Sequence, residues 1–146
     1  MLALLGTAGC GSADLSGHYW DVTLSGSVNE CTDGANYNER LDYRVVYNGN
    51  DVTLYIGEDL FATGRTEGCG ISYQSIVWGE TRDGYDVKWQ IFGAANVEQG
   101  GAGCVDGALD WSGTETFQIT FSEHPDISAG CTYTLDVTGT YTEEIE

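Results

Sequence analysis

The run from Cys131 to Thr142 alternates almost without error. Cys131, Tyr133, Leu135, Val137 and Tyr141 fall on one parity, and Thr132, Thr134, Asp136, Thr138 and Thr140 on the other. A β-strand sends successive side chains to opposite faces, so this spacing predicts a half-buried strand with an apolar face and a threonine face. The same period recurs upstream. It predicts strands over 18–28 (Trp20, Val22, Leu24 and Val28 inward), 39–47 (Leu41, Tyr43, Val45 and Tyr47 inward) and 52–56 (Val52, Leu54 and Ile56 inward). A short strand is expected at 60–63. Further strands are expected at 85–97 (Tyr85, Val87, Trp89 and Ile91 inward) and 111–121 (Trp111, Phe117, Ile119 and Phe121 inward). The segment 69–81 is less regular, with Ile71, Tyr73 and Val77 on one face and Ile76 and Trp78 on the other. Asn48-Gly49-Asn50-Asp51 and Arg82-Asp83-Gly84 supply hairpin turns, and Asp33 and Asp106, each before a glycine, read as turn formers too. No stretch keeps a helical period.

About eight strands joined by mostly short links predict an all-β chain whose neighbours in sequence pair antiparallel, an up-and-down meander. An open meander exposes two unpaired edges, and closure removes both. The expected fold is therefore an antiparallel barrel over residues 17–146, with a two-sheet β-sandwich kept as the alternative by the two-sided segment 69–81. Composition agrees, since 21 Gly against a single Pro suit strands and tight turns.

Residues 1–10 are an apolar lead ending in small residues, Thr7-Ala8-Gly9-Cys10. This resembles the end of a bacterial lipoprotein signal peptide, with Thr7 where leucine is usual. The resemblance implies a signal remnant over 1–9, cleavage before Cys10, lipid on Cys10, and a flexible tether over 10–16. It places the domain on a cell envelope, an outer membrane by expectation, held to the membrane through that lipid.

Setting Cys10 aside leaves Cys31, Cys69, Cys104 and Cys131. An even number in an exported chain argues for two disulfides, and none of the four falls within the short gaps that metal-ligand pairs use. In a closed meander, Cys31 and Cys131 lie at one end, beside the first and last strands, and Cys69 and Cys104 lie at the other. The expected pairs are Cys31–Cys131 and Cys69–Cys104, provided that the short strand at 60–63 exists.

The formal net charge of −18, with five Lys and Arg, repels phosphate backbones and speaks against nucleic acid as a partner. No metalloprotease, nucleophile-elbow or phosphate-loop motif occurs, and no metal or cofactor is expected. Gly100 to Gly103 reads as a flexible turn. His18 and His124 read as solvated loop residues. Glu115 shares parity with Trp111, Phe117 and Ile119. Inside, its carboxyl would hold a ligand head or act as an acid, but buried Glu is rare and the barrel mouth is its expected place. Trp20, Trp89, Trp111 and Tyr133 read as core or as ligand-facing walls. Trp78, Phe92 and Tyr55, on the other parity, would make a partner or sugar surface if exposed together.

Gly17-His18-Tyr19-Trp20 is similar to the Gly-x-Trp-type opening of lipocalin-like barrels, as is an eight-strand meander with tied ends. The resemblance implies a small apolar ligand inside. The expected function is a non-catalytic envelope lipoprotein that binds a small apolar ligand or a partner protein. The alternative is an interaction module whose barrel is filled by side chains.

Overall fold

The computed structural model describes residues 14–27, 31, 36–97 and 110–146. Nine strands form: β1 (Gly17–Ser27), β2 (Asn36–Asn48), β3 (Asp51–Ile56), β4 (Asp59–Glu67), β5 (Gly70–Ser75), β6 (Trp78–Arg82), β7 (Tyr85–Val97), β8 (Asp110–Ser122) and β9 (Thr132–Ile145). All pairings are antiparallel. They run from β1 through β5 in order and from β6 through β9 in order, and β1–β9 and β5–β7 join the two runs. β5 and β6 pair with successive halves of β7, so together they make one stave of a closed eight-stave barrel. The barrel expected from the sequence is the observed fold, and the sandwich is set aside.

The irregular segment 69–81 is explained by the break inside that stave. Ile76 and Val77 both stand exposed between β5 and β6, at 61% and 47%. Ser75 bridges the gap, its Oγ accepting the Ile91 N–H (2.8 Å) and its carbonyl accepting Gln90 Nε2 (3.0 Å). The break shifts the parity by one residue. Val77 is exposed although it shares parity with the buried Ile71 and Tyr73, and Trp78, on the other parity, faces in beside its ladder partner Trp89. A bulge between Lys88 and Trp89 does the same to Phe121, which pairs with Lys88 and is 43% exposed rather than inward. Tyr85, at the β6–β7 turn, is exposed as well. The strand expected at 60–63 is longer than its pattern, and a bulge opposite Leu54 and Tyr55 turns Phe61 toward Tyr43 and Tyr73.

The interior is filled unevenly. At the end where β1 starts and β9 finishes, Trp20 meets Trp111 edge-on (centroids 5.6 Å apart) and Tyr141 likewise (5.1 Å), and Tyr43 meets Trp111 (5.5 Å). Val22, Val45, Leu54, Val97 and Val137 complete this plug, all of them almost sealed from water. At the other end the Cys31–Cys131 disulfide ties the end of β1 to the start of β9, as barrel closure predicted, with Cα atoms 5.6 Å apart. Cys69 is also disulfide-bonded. Cys104, its expected partner, lies outside the described residues, as do Cys10, Val28, Asp33, Asp106 and the Gly100–Gly103 stretch.

The outer face carries threonine rows and charge. This is the reverse of a membrane-spanning barrel, which turns its apolar side chains outward. Arg44 is the exception, outward yet only 4% exposed. Its guanidinium lies over the Tyr55 ring (3.9 Å) and donates to the Ser16 carbonyl (2.9 Å), while Tyr19 Oη donates to the Leu15 carbonyl (2.6 Å). Residues 15 and 16, at the end of the expected tether, are thereby held against the barrel wall.

Candidate ligand cavity

Above the aromatic plug the barrel is not full. A cavity of about 550 Å³ opens at the end that carries the β3–β4 turn and the break between β5 and β6. Leu24, Leu41, Ile56, Phe61, Trp78 and Ile91 supply much of its wall. Leu60 and Ile76 form an apolar lip, 48% and 61% exposed. A small molecule of mostly apolar surface fits a space of this size and lining.

Glu115 borders the cavity and is completely buried. Its Oε2 accepts two phenol hydrogen bonds, from Tyr43 Oη and from Tyr73 Oη, each 2.7 Å. Oε1 is sealed from water and has no hydrogen-bond partner. The sheet register explains how Tyr73 reaches it. Tyr73 stands opposite Gly93, and Gly93 opposite Glu115, so the three occupy one cross-strand row. Adjacent strands are about 4.8 Å apart, which puts Tyr73 and Glu115 about 10 Å apart at the backbone. The ring crosses that distance by lying on the glycine, where a Cβ would fall 2.2 Å from Tyr73 Cζ. Tyr43 arrives from β2, so the carboxylate is gripped from two other parts of the barrel wall.

Burial pushes the Glu115 carboxyl above its ordinary range, and the hydrogen bonds from Tyr73 and Tyr43 pull the other way without cancelling it. Burial, reinforced by the charge of Glu115, drives both phenols well above the usual tyrosine value, so both remain donors. Glu39 and Asp59 bring two more acids to the lining. All Lys, Arg and His of the chain lie among the described residues, and none lines the cavity.

Of the side chains expected to face a ligand, only Glu115 does so, and it lies inside the barrel rather than at its mouth. Trp20 and Trp111 belong to the plug below. Trp89 packs edge-on to Tyr133 (6.0 Å) with the Arg82 guanidinium 5.1 Å from its ring centre, and Tyr133 stacks on Phe117 (4.9 Å) behind the cavity wall. Trp78, Phe92 and Tyr55 do not gather into one surface, because Trp78 turns inward, Arg44 covers Tyr55, and Phe92 is exposed elsewhere. Tyr43, which parity places inward, and Tyr73 and Phe61, to which the sequence reading gave no role, complete the site.

Neither histidine is a free loop residue. His18 lies on β1, with Nδ1 3.1 Å from Tyr141 Oη and its ring edge-on to Tyr47. His124 Nδ1 accepts the Asp126 N–H (3.0 Å), so in the neutral ring Nε2 carries the proton and donates it to Asp83 Oδ2 (2.9 Å). Asp83 occupies the β6–β7 turn with φ of 51°, as expected of a turn former, and this contact ties the turn to the β8–β9 connection. Among the described residues no cluster of His, Cys, Asp and Glu is arranged to hold a metal. No protein-family model, curated protein or solved structure matches this chain.

Proposed function

We propose that this protein is a non-catalytic binding barrel that holds one small, mostly apolar molecule in the open half of its interior. The observation that carries the reading is the uneven filling: aromatic rings pack one half, and the other keeps a cavity of about 550 Å³ with an apolar lip. An eight-strand barrel can be filled outright by its side chains. Here the bulky residues are spent on one end, and the space left matches a ligand site. The Cys31–Cys131 bond fits an oxidising, extracytoplasmic compartment. The signal-like residues 7–10 extend the proposal to a lipid on Cys10 and an envelope location.

A neutral hydrophobic dye, N-phenyl-1-naphthylamine, tests the cavity. Saturable one-to-one fluorescence enhancement is expected with the native chain, and weaker binding in Leu41→Trp, which narrows the space. Native mass spectrometry of protein purified from membranes would reveal a co-purifying molecule. No saturable binding and no co-purifying mass would favour the filled interaction module. A second reading, a protein partner at the lip, rests on the exposed trio Leu60, Ile76 and Val77.

A further inference from the structure

The ligand's head group can be argued from the carboxylate it would meet. Glu115 has one oxygen engaged by two phenols and one with no partner, and the residue is part of the cavity wall. A buried acceptor without a partner is costly to keep, and a ligand donor would relieve it. The charge of the surroundings selects among donors. Among the described residues Glu39 and Asp59 are the other carboxyl groups of the lining, and no Lys, Arg or His stands there to balance any of them. The residues outside the described set contain acids and no Lys, Arg or His. The net charge of −18 draws cations toward the mouth and repels fatty acids and other anions.

We propose that the ligand is an apolar amine whose hydrocarbon body lies along Leu41, Ile56, Phe61 and Trp78 and whose ammonium pairs with Glu115 Oε1, an atom that is sealed in the empty barrel and is uncovered as the amine enters. This deepens the binding-barrel reading and rests on it. The two phenols hold Oε2, so the carboxylate meets the ammonium already oriented, and Oε1 takes the donor that the fold does not supply. An alcohol would satisfy Oε1 without neutralising the acid. A carboxylate would place a second negative charge beside it.

Octylammonium, octanol and octanoate share one hydrocarbon chain and differ only at the head, so their affinities by calorimetry isolate the head-group contribution. Octylammonium is expected to bind about tenfold or more tightly than octanol, with octanoate weakest. Surface attraction by the acidic exterior would fade between 0.05 and 0.5 M salt, whereas a buried pair is screened far less, so the preference is expected to persist. In Glu115→Gln the ammonium-to-alcohol ratio is expected to fall to about one. Equal binding of ammonium and alcohol by the native chain would overturn the amine assignment and leave the cavity reading standing. So would a preference that vanishes in salt or survives Glu115→Gln. The native-chain comparison needs no variant, so it decides even if Glu115→Gln fails to fold. If none of the three probes binds the native chain, the binding-barrel reading itself fails.

Discussion

Gly93→Ala probes the contact that brings Tyr73 to Glu115. The added Cβ would lie 2.2 Å from Tyr73 Cζ, 2.3 Å from Cε2 and 2.6 Å from Oη. Non-bonded carbons rest at about 3.5–4.0 Å, so the ring must retreat by more than about 1 Å. Overpacking of this kind costs about 1–3 kcal/mol. The retreat also pulls the phenol from Glu115 Oε2, now 2.7 Å away, and a buried acceptor that loses a donor costs about 1–3 kcal/mol more. Alanine regains about 0.5–1 kcal/mol over glycine within a strand. The net expectation is a loss of about 2–4 kcal/mol.

The assay is urea unfolding with disulfides intact, compared at equal slope so that the midpoint shift reports stability alone. The decisive control is the same substitution in a Tyr73→Ala background. With the ring gone the methyl meets open space, and Gly93→Ala is expected to be neutral or slightly stabilising, a coupling of about 2 kcal/mol or more between the two sites. A cost below about 0.5 kcal/mol in the native chain, or an equal cost in both backgrounds, would refute the row of Tyr73, Gly93 and Glu115.

The raised Glu115 carboxyl gives the remaining predictions their sign. The fold holds a proton that the unfolded chain releases first, so stability is greatest below the ordinary Glu value and falls as pH rises through the raised one. Glu115→Gln is therefore expected to gain on the native chain between pH 4 and 8 in thermal melts, and parallel curves would count against a buried ionising carboxyl. Removing the disulfide with Cys31→Ser and Cys131→Ser opens a loop of sequence separation 100, with an expected loss of about 4–5 kcal/mol by chemical denaturation. Replacing the polar trio together, Tyr43→Phe, Tyr73→Phe and Glu115→Leu, is expected to leave stability unchanged or raise it by about 1–4 kcal/mol, because no buried polar atom of the trio is then left over. A loss of more than about 2 kcal/mol would make the trio a structural device.

Parity alone carried most of the fold. In β1, β2 and β9 the apolar residues expected inward stay inward, because that face packs on the core and a slip of one residue would turn it to water. The misses fall where the ladder gains or loses a residue. A bulge flips every later side chain, and neither the one near Trp89 nor the break at Ile76 and Val77 announces itself to a count of two. That is why Phe121 points outward and Trp78 inward, each against its parity. Glu115 was legible as inward by parity and misplaced by the rarity of buried acids. What settles it is register, which puts a glycine between an acid and a tyrosine two strands away. No local pattern encodes that pairing. Trp20 and Trp111 face inward as expected, yet which half of the barrel is filled depends on volumes summed around eight staves.

Glu115 is hard to account for as a device for folding. Desolvating a carboxyl costs several kcal/mol, and the phenols return only part of it, since one oxygen still lacks a partner. An apolar side chain at 115, with phenylalanines at 43 and 73, would seal this level of the barrel without that cost. The same position lies where the aromatic plug ends and the cavity begins, so the unpaired acceptor and the empty volume meet at one boundary. Folding alone gives no reason for that coincidence, whereas a bound molecule with an apolar body and a donating head would relieve both features at once.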